Sequence, residues 1–216
     1  MLAYGTLAAI ATLAAMLVIL KSGRLRLYRE LAALQTRIIE HAPAPMIASA
    51  GGSPGFSDLL ARAPEFLPPA TLAALRAEIE TLVDTERSYL PAHKKGGTVA
   101  YETLCRQAPA VIRLYLDREL IAYLSRVTGI ALQPTPLNDQ SSCSVLFYER
   151  PGDHIGWHFD HNFYRGRHFT VLISIVNTGK QEDGLSAARL IAMQRGDEIV
   201  VPTPPNTLVV FEGAKV

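Results

Sequence analysis

The chain has 216 residues, of which 49% are hydrophobic and 19% charged, with a formal net charge of +1. This length allows one catalytic domain plus a smaller element, and the near-zero charge excludes a broad electrostatic attraction to nucleic acid, which is not expected as a partner. Only two cysteines occur, Cys105 and Cys143, without Cys-x-x-Cys spacing, so no disulfide framework is expected and two reduced thiols are.

The first element in chain order is an uncharged stretch from Leu2 to Leu20. As a helix rising about 1.5 Å per residue it matches the ~30 Å hydrocarbon layer, and residues 1–22 are expected to form a transmembrane anchor. A cleaved signal peptide fits less well. No basic residue precedes the apolar run, and the cleavage-like Ala48-Ser49-Ala50 lies far downstream. Lys21, Arg24, Arg26 and Arg29 crowd the C-terminal flank, which by the positive-inside rule places the rest of the chain in the cytoplasm. The expected setting is a single-pass membrane protein with its catalytic domain cytoplasmic, the N-terminal helix making the membrane a partner.

Residues 23–56 follow as a juxtamembrane helix and linker. From Arg24 to His41 the spacing of Leu27, Leu31, Leu34 and Ile38 keeps a helical stripe. Prolines at 43, 45 and 54 with a Gly-Gly pair mark Ala42 to Gly55 as the domain boundary. Residues 57–130 are expected to be a helical support region. Pro69 to Leu90 and Thr98 to Val127 are its helices, the second interrupted near Pro109 and closed by Gly129, with Leu114, Ile121 and Leu124 as core.

From residue 131 the pattern turns to strands. Ser144 to Tyr148, His154 to Phe159, Phe169 to Val176, Ala188 to Ala192, Glu198 to Val201 and Thr207 to Phe211 are short β-branched or aromatic runs separated by turn residues. Helices followed by antiparallel strands predict an α+β fold, with a jelly-roll core over 131–216.

Within those strands lies His158-Phe159-Asp160. Alternate residues of an extended strand share a face, so an imidazole and a carboxylate two positions apart can grip one metal ion. By the same parity His161 faces away and Trp157 reads as packing. His154 has the right parity but lies roughly 13 Å along an extended strand, at about 3.3 Å per residue, and could join only through a bend at Gly156. His168, at a strand opening, reads as an ordinary surface or core histidine.

In order along the chain come Tyr148 before a Pro-Gly turn, His158-x-Asp160, Arg167-His-Phe-Thr170, Gly196-Asp197 and the strand Thr207 to Phe211. This set resembles the Fe(II)- and 2-oxoglutarate-dependent dioxygenases, in particular their prolyl 4-hydroxylase-like branch, over about the last ~80 residues. The resemblance implies a double-stranded β-helix, with His158 and Asp160 as two ligands of a two-histidine, one-carboxylate iron site. It implies 2-oxoglutarate and O2 on the open positions, hydroxylation of a small-molecule or peptidyl substrate, and release of succinate. By position, Tyr148 and Thr170 match residues that hydrogen-bond 2-oxoglutarate.

One element of the family pattern is missing. The second histidine follows the strand equivalent to Thr207 to Phe211, with a basic partner for 2-oxoglutarate about ten positions later, but no histidine follows His168. His41 and His93 lie in other regions. The expectation is a C-terminally incomplete jelly roll whose third ligand falls just beyond Val216, so that the 216-residue chain by itself is inactive. The competing expectation is a membrane-tethered, non-catalytic jelly-roll binding module.

Overall fold

The computed structural model describes residues 2–47, 55–57, 59–82, 86–90, 94–137, 139 and 142–215, with only the backbone of 2–11, 14 and 88–90. Residues 48–54 of the expected linker, including the tripeptide 48–50, and His93 lie outside the described residues.

A single helix, α1 (Leu2–His41), runs through both the expected anchor and the juxtamembrane segment. Its C-terminal half docks on the body. Leu31 and Ile38 are 1% and 7% exposed in a cluster with Val99, Leu104 and Ile112, and Glu30 bonds Arg106 at 2.8 Å. The expected membrane anchor is corrected here: no helix among the described residues is long and apolar enough to cross a membrane. Charge begins at Lys21 and recurs at Arg24, Arg26 and Arg29 within the same helix. The membrane as a partner and the single-pass membrane localisation with a cytoplasmic domain rested on that anchor and are withdrawn with it.

The order of elements then departs from helices followed by strands. β1 (Leu60–Ala63) precedes α2 (Pro69–Glu80), and β2 (Glu86–Leu90) and β3 (Lys94–Val99) precede α3 (Tyr101–Gln107), α4 (Pro109–Tyr115) and α5 (Arg118–Thr128). Beyond them lie β4 (Val145–Phe147), β5 (His154–Ile155), β6 (Thr170–Ser174), β7 (Leu190–Gln194), β8 (Asp197–Val201) and β9 (Thr207–Phe211). α5 shows how local chemistry sets a boundary. The Asp117 carboxylate accepts from the Glu119 and Leu120 amides at 2.9 and 3.1 Å, and Gly129 ends the helix at φ 70°, a conformation that suits a residue without Cβ.

The described strands form antiparallel sheets: β1-β9-β6, then β2-β3-β4 with β5 also on β3, and the hairpin β7-β8. The jelly roll expected from residues 131–216 alone is therefore corrected: two of these sheets recruit strands from the region expected to be helical. β9 is the centre of its sheet and buried on both faces. Leu208 and Val210 pack on the cluster containing Leu75, Leu120 and Leu124, while Val209 packs with Ala192 and Val201 of the hairpin. This two-sided burial makes β9 the fixed reference for the residues at its end.

Candidate functional site

β6 begins at Thr170, paired with Phe211 at the end of β9. The segment from Gly156 to Phe169, which arrives at that same edge, has no regular secondary structure. His158 and Asp160 therefore do not stand on a strand as expected, yet they converge. His158 Nε2 lies 3.4 Å from Asp160 Oδ1, and the two side chains are 35% and 28% exposed.

Their other polar atoms explain this pose. His158 Nδ1 lies 2.8 Å from the Gly156 carbonyl, which can only accept, so Nδ1 carries a proton and Nε2 turns toward the carboxylate. Asp160 Oδ2 accepts from the Thr170 hydroxyl, leaving Oδ1 for the imidazole. The Asp160 amide donates to the Gly213 carbonyl at 2.8 Å. Gly213 sits so close that a Cβ there would fall 2.7 Å from both Asp160 Cβ and Thr170 Oγ1. Only glycine fits between β9 and the pair.

The consequence is electrostatic. With Nδ1 protonated, a neutral imidazole presents the Nε2 lone pair to a carboxylate oxygen, and two acceptors facing one another need a cation or a proton between them. Bonds of about 2.0–2.2 Å to one ion suit donors at this spacing. The pair fits as two ligands, and among the described residues no group of three His, Cys, Asp or Glu side chains forms a metal cluster.

Tyr148, expected beside Thr170, follows β4 and lies over β3: a Cβ on Gly96 would stand 3.3 Å from its ring. Burial first, and then the Asp153 charge, push its phenol above the ordinary tyrosine range, so it is a donor at neutral pH. Among the described contacts none joins Tyr148 to His158, Asp160 or Thr170. His154, on β5, turns its Nδ1 to the Gly152 carbonyl at 2.9 Å and stays apart. His161 stacks at 5.7 Å on Phe163. Trp157, expected to pack, is 58% exposed.

Three residues to which the sequence assigned no role in the site, Arg167, Glu212 and Lys215, lie beside the pair. Glu212, next to Gly213, is 3% exposed. It accepts from Arg167 Nη2 at 2.6 Å and pairs with Lys215 Nζ at 3.0 Å. Its carboxyl is held below the ordinary range, mainly by the Arg167 hydrogen bond. The available sequence signal was an acidic residue directly after the apolar run Thr207 to Phe211. Comparison with protein-family models and with curated proteins returned no match.

Proposed function

We propose that the chain is an Fe(II)- and 2-oxoglutarate-dependent dioxygenase that hydroxylates a small-molecule or peptidyl substrate. The observation that carries this proposal is the approach of His158 Nε2 to Asp160 Oδ1 at 3.4 Å, with the remaining polar atom of each side chain already engaged. Iron, 2-oxoglutarate and O2 together supply oxidation of a substrate C–H bond to C–OH, with release of succinate and CO2.

His158 and Asp160 hold the metal. Hydrogen bonds from His158 Nδ1 to the Gly156 carbonyl and from Thr170 to Asp160 Oδ2 fix which atoms face it and keep the imidazole in one tautomer. Thr170 thereby serves the carboxylate ligand, and Tyr148 offers a neutral phenol to an incoming acceptor. Metal binding of this type needs a third protein ligand. The bond from the Asp160 amide to the Gly213 carbonyl means that the segment following β9 runs beside the pair.

The test is an anaerobic titration with Fe(II) and then 2-oxoglutarate, followed by absorbance, on wild type, His158→Ala and Asp160→Asn. The expected result is weak but saturable binding without turnover in the wild type, because the described residues supply only two protein ligands, and its loss in both variants. Equal affinity in His158→Ala overturns the assignment. A pH titration of the metal-free His158 ring by NMR separates the rival in which a second ring proton, giving an imidazolium–carboxylate ion pair, bridges the two groups.

A further inference from the structure

We infer that Arg167 and Glu212 are positioning residues, whose ion pair latches the segment carrying His158 and Asp160 onto the end of β9. The inference rests on the metal-binding role proposed for that pair.

Glu212 is fixed on every side. Its amide donates to the Leu59 carbonyl at 3.0 Å, and its two carboxylate oxygens are taken by Arg167 at 2.6 Å and Lys215 at 3.0 Å. Arg167 belongs to the irregular segment, and its guanidinium lies 5.0 Å from the Phe169 ring, which stacks at 5.8 Å on Phe56. The chain neighbours of this ion pair are the parts of the site. Gly213, after Glu212, accepts from the Asp160 amide, and Thr170, after Phe169, donates to the Asp160 carboxylate. Asp160 is thus held by two groups, each within three residues of one end of the Arg167–Glu212 bond.

Stability alone is a poor reason for this carboxylate. Arg167 is 40% exposed and Glu212 4%; solvent screens a pair with one exposed partner, and desolvation of the buried carboxylate offsets the attraction, so little net stability follows. What an apolar replacement lacks is direction. A charge-assisted bond fixes both distance and angle, and here it sets how the segment crosses β9.

The test compares Arg167→Met, Arg167→Lys and, as control, the exposed neighbour variant Arg165→Met. The first readout is amide hydrogen exchange at Asp160 and Val209 in metal-free protein. The second is Co(II) affinity. In Arg167→Met the Asp160 amide should exchange about tenfold faster with Val209 unchanged, and Co(II) should bind about tenfold more weakly, the scale of losses from removing support of a ligand. Arg167→Lys should recover part of both, and Arg165→Met should alter neither. Exchange at Asp160 within twofold of wild type overturns the inference, as does equal acceleration at Val209, or unchanged Co(II) affinity beside faster exchange. Failure of wild type to bind Co(II) would defeat the metal assignment instead, and the exchange comparison would still decide the latch.

Discussion

β9 and the segment from Gly156 to Phe169 touch at Gly213 but are held by opposite means. Leu208, Val209 and Val210 are all 0% exposed, with strands on both sides. In the segment, Trp157, Phe159 and Phe163 are 58%, 63% and 83% exposed, and its anchors are polar: Asp160 to Gly213, Tyr164 to Asp139, and Arg167 to Glu212. Apolar burial scales with area and has no direction, whereas hydrogen bonds add little net energy and fix orientation. One region therefore supplies stability and the other supplies geometry, and each substitution below should disturb mainly one of them.

The largest loss of stability belongs to β9. Truncating Leu208, which joins the cluster with Leu75 and Leu120, should cost about 2–5 kcal/mol by removing buried methyl groups and leaving a cavity. Urea unfolding of Leu208→Ala measures it. A loss under about 1 kcal/mol would mean that β9 is not the anchor of its sheet.

Next comes the junction. In Gly213→Ala the new methyl would meet Asp160 Cβ at 2.7 Å, and overpacking of this kind costs about 1–3 kcal/mol. Because the methyl displaces Asp160 itself, metal affinity should fall as well, so this variant alone should lose both stability and binding. Thermal melts with and without Co(II) separate the two losses. Wild-type behaviour in both would show that the close approach is not required.

This division also explains what was legible in the sequence. The helices over Tyr101–Thr128 and the strands from Val145 to Phe211 were readable because caps, prolines and apolar runs act locally. β1 was not: Leu-Ala-Arg-Ala is a helix-favouring sequence, drawn into a strand by pairing Leu60 with Phe211, a tertiary choice that overrides propensity. Lys94-Lys-Gly-Gly-Thr-Val likewise lacks an apolar alternation and is a strand through its partners β2 and β4. The nearness of His158 and Asp160 was legible from their spacing, although strand parity was the wrong cause. Arg167 and Glu212, 45 positions apart, carry no local signal of their pairing. α1 was legible as helix, but composition does not report which part of a helix packs: Leu31 and Ile38 are buried on the body, whereas Met16 and Leu20 are exposed.

A smaller effect of opposite sign is expected at the other end of β9. Thr207 is 1% exposed, and its hydroxyl has no hydrogen-bond partner among the described residues. Thr207→Val keeps the shape and removes a buried unsatisfied group, which should stabilise by about 1 kcal/mol. For a chain of this size that is roughly 2–4 °C in Tm. A lower melting temperature would mean that the hydroxyl is satisfied in solution, and the strand would then depend on a polar contact as the segment does.

The smallest change in stability should come from His158→Ala, and it separates the two regions most cleanly. The ring is 35% exposed, and its 3.4 Å neighbour is a carboxylate oxygen, so removing it leaves no cavity and relieves the opposition of two acceptors. Metal-free stability should stay within about 0.5 kcal/mol of wild type. With Co(II) at a hundredfold its Kd, wild type should gain about 2.7 kcal/mol by mass action, and the variant should gain none. A metal-induced shift that survives in His158→Ala would place the ion elsewhere. A large metal-free loss would make His158 a structural side chain, and geometry and stability would no longer divide between the segment and β9.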